Sequence, residues 1–299
     1  MKRIFLLFMA LYALLACRPS FGQDIVTTQA DRAVAMRIMD ELSDTLGTAA
    51  ASGRVVPLAD MMVIAAKSMI GTRYVAGTLD EDPIREDLRI YLTKTDCILF
   101  VETCLNLART VLETGGKDYT FNGFASRVAQ TRYRCKPPYS YGDRIHYTTE
   151  WIRRQEGRLR DLTMDLGGEV YDHPVDFMSS NSKLYKQLEN ASNIPRAALD
   201  LKKIEEAEER IGKVPMTYIP KDKVADAVQG IKTGDIICFV SGVKGLDVSH
   251  VAIAYVENGK VGFIHASQTD GKVEIDKRTI LEYVSSRSNL AGIKVVRPA

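Results

Sequence analysis

The run Thr95-Asp96-Cys97-Ile98-Leu99-Phe100-Val101-Glu102 places a thiol where a buried helix begins. Thr95 or Asp96 can cap that helix, because a short side-chain oxygen accepts from backbone N–H groups that lack an intrahelical partner. Behind it, Val101, Leu105, Ala108 and Leu112 recur at helical spacing, as do Phe100, Cys104, Leu107 and Val111. Two wide apolar stripes describe a helix buried on most of its circumference. A thiol at its N-terminus faces the positive end of the dipole and free N–H groups, which favours thiolate and lowers its pKa. The same N–H groups can receive a developing oxyanion. A buried structural cysteine fits this stretch equally well, so the chemistry needs a partner.

Two of the chain's four histidines supply one. Asn258-Gly259 between two β-branched runs is a strong two-residue hairpin signal. With Glu257 opposite Lys260, His250 faces Ser267 and His265 faces Ala252. Side chains alternate with period 2, so His250 and His265 become diagonal neighbours on one face. A one-residue slip would separate them. The pair suits cysteine hydrolysis: His250 takes the proton of Cys97 and later protonates the leaving amine, and His265 holds the first imidazole in the required tautomer. A zinc site is disfavoured, since neither HExxH nor CxxC spacing occurs.

The remaining elements must position these groups. Asp24 to about Ala51 carries a helical pattern, and Pro57 suits the first position of a second helix that ends before Gly71. Gly71-Thr72-Arg73-Tyr74-Val75-Ala76-Gly77 reads as a turn and a short extended segment entering a site. Leu88–Leu92 reads as a short strand. The cysteine helix stops at Gly115-Gly116. Residues 117–190 read as irregular and polar-aromatic, an insertion that builds a binding wall. Asp143, Arg144, His146, Tyr147 and Trp151 are its candidate substrate residues, since rings beside Arg and Asp suit sugar faces and carboxylates. Leu199–Ile211 reads as an amphipathic helix, and strands follow at 216–219, 235–240, 249–255, 261–266, 273–275 and 293–296.

With 299 residues and 45% apolar content, the chain is an ordinary globular one. Met1-Lys2-Arg3 followed by Ile4–Ala16 reads as a secretory signal over 1–22, too short for a comfortable membrane span. Ser20-Phe21-Gly22 suits cleavage before Gln23, whereas Leu14-Leu15-Ala16-Cys17 resembles a lipoprotein box. The expectation is an exported, periplasmic protein, with a lipid on Cys17 as the alternative and the sole route to a membrane. Losing the leader's three positive charges takes the formal charge from +2 to about −1. No basic run points to nucleic acid. Cys97, Cys104, Cys135 and Cys238 are not spaced as a disulfide framework or a zinc cluster and are expected to be free.

Gly71–Gly77, Thr95-Asp96-Cys97, Gly234-Asp235-Ile236-Ile237, Ser249-His250-Val251-Ala252-Ile253 and Ile264-His265-Ala266-Ser267 together resemble the NlpC-type papain-like cell-wall hydrolases. Phe100-Val101-Glu102, Asp143-Arg144-Ile145-His146-Tyr147, Trp151, Leu166-Gly167-Gly168 and Tyr218-Ile219-Pro220-Lys221 resemble its N-acetylmuramoyl-L-alanine amidase-like branch. Thr95, Ile98 and Ala252 depart from that pattern without removing a catalytic group. The resemblance implies an α+β fold with a papain-like core: N-terminal helices, with the nucleophile helix packed on an antiparallel sheet of about five or six strands. It implies residues 23–56 as a helical segment and 57–299 as the catalytic domain, with the insertion at about 117–198. It implies an amidase on muropeptides, cutting between the lactyl group of N-acetylmuramic acid and L-alanine, with no cofactor or metal. Related enzymes instead cut γ-D-glutamyl-diamino acid bonds, gripping the free amine of L-alanine with a tyrosine and an aspartate; Tyr74 and Asp96 occupy those positions here. A non-catalytic wall-binding module is the alternative from another class.

Overall fold

The computed structural model describes residues 24–80, 85–181 and 195–299; the expected signal segment, residues 1–22, and the candidate lipid-bearing Cys17 lie outside the described residues. α1 (Gln29–Ala51) begins at a capping box in which Thr28 and Asp31 each accept from the other's backbone N–H. Asp31 also accepts from the N–H groups of Leu92 and Thr93, both at 2.8 Å, which ties α1 to the chain entering the cysteine helix. α2 (Leu58–Ser68) follows Pro57, which stands as its N-cap, one residue earlier than expected.

α3 (Cys97–Glu113) begins at the cysteine itself. Every residue from Leu99 to Val111 is buried, polar ones included. Phe100, Leu105 and Ala108 are fully enclosed. Burial all round follows from the two stripes, one meeting α1 and α2, the other the sheet. Contrary to the irregular chain expected over 117–190, residues Phe121–Arg132 form a helix, α4. Thr120 caps it, and Phe121, Phe124, Ala125 and Val128 line its buried side. α5 (Thr148–Arg153), α6 (Phe177–Asn181) and α7 (Pro195–Gly212) continue the chain, followed by the one-turn α8 (Val224–Ala227) and the late α9 (Ile280–Ser285).

Among the described residues the main sheet has ten strands, not five or six. From one edge it runs β4 (Lys94–Thr95), β2 (Arg73–Tyr74), β11 (Lys272–Ile275), β10 (Lys260–Ser267), β9 (Val248–Glu257) and β8 (Ile236–Ser241). It continues through β12 (Leu290–Pro298), β7 (Met216–Pro220) and β6 (Glu169–Tyr171), with β5 (Leu159–Asp161) also on β12. The long strands are those foreseen. The extra ones are two- or three-residue pieces at the edges, too short for period 2 to show in sequence. Leu88–Arg89 does form a strand, β3, but it pairs in parallel with β1 (Ile25–Val26) away from the main sheet.

β9 and β10 pair from Glu257↔Lys260 to Ile253↔Ile264, the expected register. Asn258 and Gly259 both have positive φ, 50° and 73°, as a turn that follows the strand twist requires. Alternation divides the sheet cleanly. Ile236, Cys238, Val251, Ile253 and Ile264 pack toward α2 and α3; Ile237, Phe239, Ala252, Ala254 and Phe263 pack toward α9. The four described cysteines are free. Among the described residues no helix is long and apolar enough to cross a membrane.

Candidate active site

Cys97 sits at the first turn of α3. Asp96 caps that turn, its Oδ1 accepting from Leu99 N at 2.9 Å, with Ile98 N also donating to its carboxylate. Cys97 is partly exposed at a cavity of about 180 Å³, which it lines together with His250. Its sulfur meets the backbone N–H of Val251, the residue after His250. β9 is irregular beside His250: Phe239 pairs with His250, but Val240 pairs with Val248. Such irregularities re-aim side chains at sites.

The two histidines are joined. His250 Nε2 lies 2.8 Å from His265 Nδ1, the rings nearly perpendicular at 83°. His265 is 2% exposed, not a surface residue. Its Nε2 lies 3.3 Å from Asp276 Oδ2, an electrostatic contact at an angle too poor for a hydrogen bond. Asp276, one residue beyond β11, is held by Arg278 through Nε (2.9 Å) and Nη2 (2.7 Å). Tyr283 of α9 packs beside both histidines, and Arg278 and Arg287 lie over its ring.

Electrostatics correct one expectation. Burial, and after it the charge of Asp96, push the Cys97 thiol up to about 12, outweighing the N–H groups of Val251, Ile98 and Cys97 that favour thiolate. Burial pushes His250 down to about 3, aided by His265 and Arg287. Burial brings His265 to about 4, against the pull of Asp276. These directions favour thiol and neutral imidazole over a preformed thiolate in the resting pair at neutral pH.

The opposite wall comes from the loop between α4 and α5 and from α5 itself. Arg144, His146, Tyr147 and Trp151 all line the cavity with Cys97 and His250. Arg144 bonds Asp80, lies 3.7 Å from Glu86 and stacks over Tyr141. His146 Nε2 donates to Tyr141 O at 3.0 Å, and burial pushes its pKa well down. Tyr147 donates to Glu208 (2.6 Å) and accepts from Met178 N (2.8 Å), tying the wall to α6 and α7. Trp151 is 4% exposed, and its Nε1–H has no partner among the described residues. Asp143 does not line the cavity: it accepts from Lys203 at 2.7 Å and closes the cap at Ser140. Tyr74 is absent from the lining too, but its hydroxyl lies close enough to Cys97 and Asp96 that they, after burial, push it up to about 12.

Three charged residues were not foreseen as site residues. Glu102 and Arg132 both line the cavity and form a buried pair, with Arg132 Nε 3.1 Å from Glu102 Oε2. Their signal was a carboxylate inside the apolar run of α3 and a basic residue closing an unrecognised helix. Asp276 is the third. Behind the wall, Arg134 binds Glu150 (2.7 Å) and the carbonyls of Gly142 and Arg144 (2.8 and 2.7 Å). Asp247, fully buried, accepts from Thr149 N and Val248 N, each at 2.7 Å, so one carboxylate joins α5 to the start of β9.

A crystal structure of an N-acetylmuramoyl-L-alanine amidase from Bacteroides uniformis ATCC 8492 is similar at a TM-score of 0.70 and 31% identity, covering 81% of this chain and 99% of that one. A putative xylanase from Bacteroides fragilis aligns at 0.68 and 32% identity, over 78% of this chain and 99% of that one. Protein LPG0564 from Legionella pneumophila, at 20% identity and a TM-score of 0.64, shows the fold alone; 91% of this chain and 97% of that one are covered. No curated protein matches. The N-acetylmuramoyl-L-alanine amidase-like family model, AmiA-like, matches residues 64–293, most of the chain, and the chain belongs to that family of amidase-like peptidoglycan hydrolases.

Proposed function

We propose that the protein is a cysteine amidase, with a papain-like NlpC-type core, that hydrolyses the bond between N-acetylmuramic acid and L-alanine in peptidoglycan fragments. The observation that carries this is that His250, which shares a cavity with Cys97, is held by His265 at 2.8 Å on its other side. His250 Nδ1 takes the Cys97 proton as the sulfur attacks the lactyl carbonyl carbon. The Leu99 N–H is taken by Asp96, and the Cys97 N–H at the mouth of α3 is the donor assigned to the oxyanion. The carbon–nitrogen bond then breaks, and the amine of L-alanine leaves with the proton from His250. Water, deprotonated by the same imidazole, opens the thioester and returns Cys97 to thiol. A neutral His250 can act as this base without a prior ion pair.

The wall supports a sugar-bearing substrate. Trp151 supplies an aromatic body and an unpartnered donor, and His146 and Tyr147 border the same space. The second reading, a γ-D-glutamyl-diamino acid endopeptidase, draws on Tyr74 and Asp96 beside the thiol, where a free amine would sit. One incubation separates the two: mass spectrometry of a defined disaccharide-tetrapeptide should show free disaccharide and intact tetrapeptide. Release of the L-alanyl-D-glutamate dipeptide or its sugar conjugate would replace the amidase reading with the second one. No cleavage of any fragment would favour a wall-binding module. Export to the periplasm, by a leader removed before Gln23 or through a lipid on Cys17, is part of the same proposal.

A further inference from the structure

We propose that Asp276 is a positioning residue, one that fixes through His265 which nitrogen of His250 carries the proton. The inference rests on the reading of Cys97 and His250 above. His265 Nε2 lies 3.3 Å from Asp276 Oδ2, outside hydrogen-bond geometry but close enough that the carboxylate's negative charge attracts a ring N–H and repels a ring lone pair on that side. That favours the His265 tautomer with its proton on Nε2, leaving Nδ1 as a lone pair. His265 Nδ1 in turn faces His250 Nε2 at 2.8 Å, so His250 Nε2 must be the donor. The Nδ1 lone pair of His250 is then free to take a thiol proton. Reversing the first step reverses the last: with the proton on His265 Nδ1, His250 would carry its own on Nδ1 and could not act as base.

Asp276 is built for this. It is 9% exposed, and Arg278 holds both its oxygens, its backbone N–H adding a third bond at 2.9 Å. The histidine pair is faced by Asp276, Arg278 and Asp270 around the β10–β11 hairpin and by Tyr283 and Arg287 on the α9 side. Asp276 favours the protonated pair, whereas Arg278 and Arg287 oppose it. Nearby charges of opposite sign should therefore move the titration in opposite directions.

The test is Asp276→Asn, Asp276→Glu and Arg278→Ala in the full chain, read by histidine ¹⁵N NMR and by the pH dependence of muropeptide cleavage. Wild type should show both imidazoles neutral and protonated at Nε2. Asp276→Asn should redistribute that pattern and lower kcat by about 100-fold with KM little changed. It should also move the acid limb of kcat/KM to lower pH. Arg278→Ala should move it to higher pH, and Asp276→Glu should restore part of kcat. If Asp276→Asn does not fold, the Glu and Arg278 variants carry the test through the same shifts. Unchanged ¹⁵N patterns, or acid limbs that move together in both charge variants, overturn the proposal. The NMR readout does not depend on turnover; full activity in Cys97→Ala would sink the hydrolysis reading instead.

Discussion

On the hairpin side of the cavity, His250 and His265 owe their places to backbone ladders. On the wall side, Arg144, Tyr147 and Trp151 owe theirs to side-chain contacts. β9 and β10 are pinned by consecutive main-chain bonds and a turn whose two residues both take positive φ. The wall has short helices and a long connecting loop, and it is kept in shape by Arg132–Glu102, Arg134–Glu150, Arg144–Asp80 and Tyr147–Glu208. A ladder distributes position over many equivalent bonds. A buried charge network concentrates it, because removing one partner strands the other away from water. The hairpin should therefore lose chemistry before it loses structure, and the wall the reverse.

The largest effect expected is on turnover. Cys97→Ala and His250→Ala should each cut muropeptide cleavage by about 1,000-fold or more, with thermal unfolding close to wild type. A matching collapse of stability in either would erase the contrast between the two sides. Next comes Glu102→Ala, which leaves the Arg132 charge buried and should cost about 3–5 kcal/mol in denaturant unfolding. Changing both, Glu102→Leu with Arg132→Met, should recover most of that loss. Tyr147→Phe removes a donor to Glu208 and an acceptor for Met178 N, for an expected about 1–3 kcal/mol. Gly259→Ala forces a Cβ into a positive-φ position at an open turn and should cost about 1–2 kcal/mol. Its cleavage activity should persist, since the ladder still fixes the histidines.

The smallest effect concerns pH. His265 is held near 4 when folded, below its ordinary value of 6.5. The unfolded chain therefore binds the proton first as pH falls, and stability is lost on acidification below about 6.5. For His265 alone, going from pH 7 to 5.5 should cost about 1 kcal/mol. His265→Gln should flatten that part of the slope, and an unchanged slope would mean His265 is protonated in the folded state.

The same contrast explains what was legible in the sequence. The register could be counted from Asn258-Gly259, and the cysteine helix from its apolar stripes, because ladders and helices write their periods into the chain. The wall residues were legible as types: Arg144, His146, Tyr147 and Trp151 do reach the cavity. Their neighbour Asp143, of equally suitable type, turns away to Lys203, and nothing periodic distinguishes it. Asp276 lies eleven residues beyond His265, across the return of β11, where no pattern connects them. The thiol was misjudged for a different reason. Helix position argues for thiolate, but burial and the capping carboxylate together outweigh it, and burial is a tertiary quantity.

Asp247 accepts from Thr149 N in the first turn of the Trp151 helix and from Val248 N at the start of the His250 strand, tying together two segments that border the cavity. A buried tie of this kind works against a hinge between the two segments. The expected consequence is a groove whose width stays the same on binding, with ligands sorted at its entrance rather than by a jaw that closes afterwards. Structures with and without a bound fragment should then superpose across the gap from Thr149 to Val248.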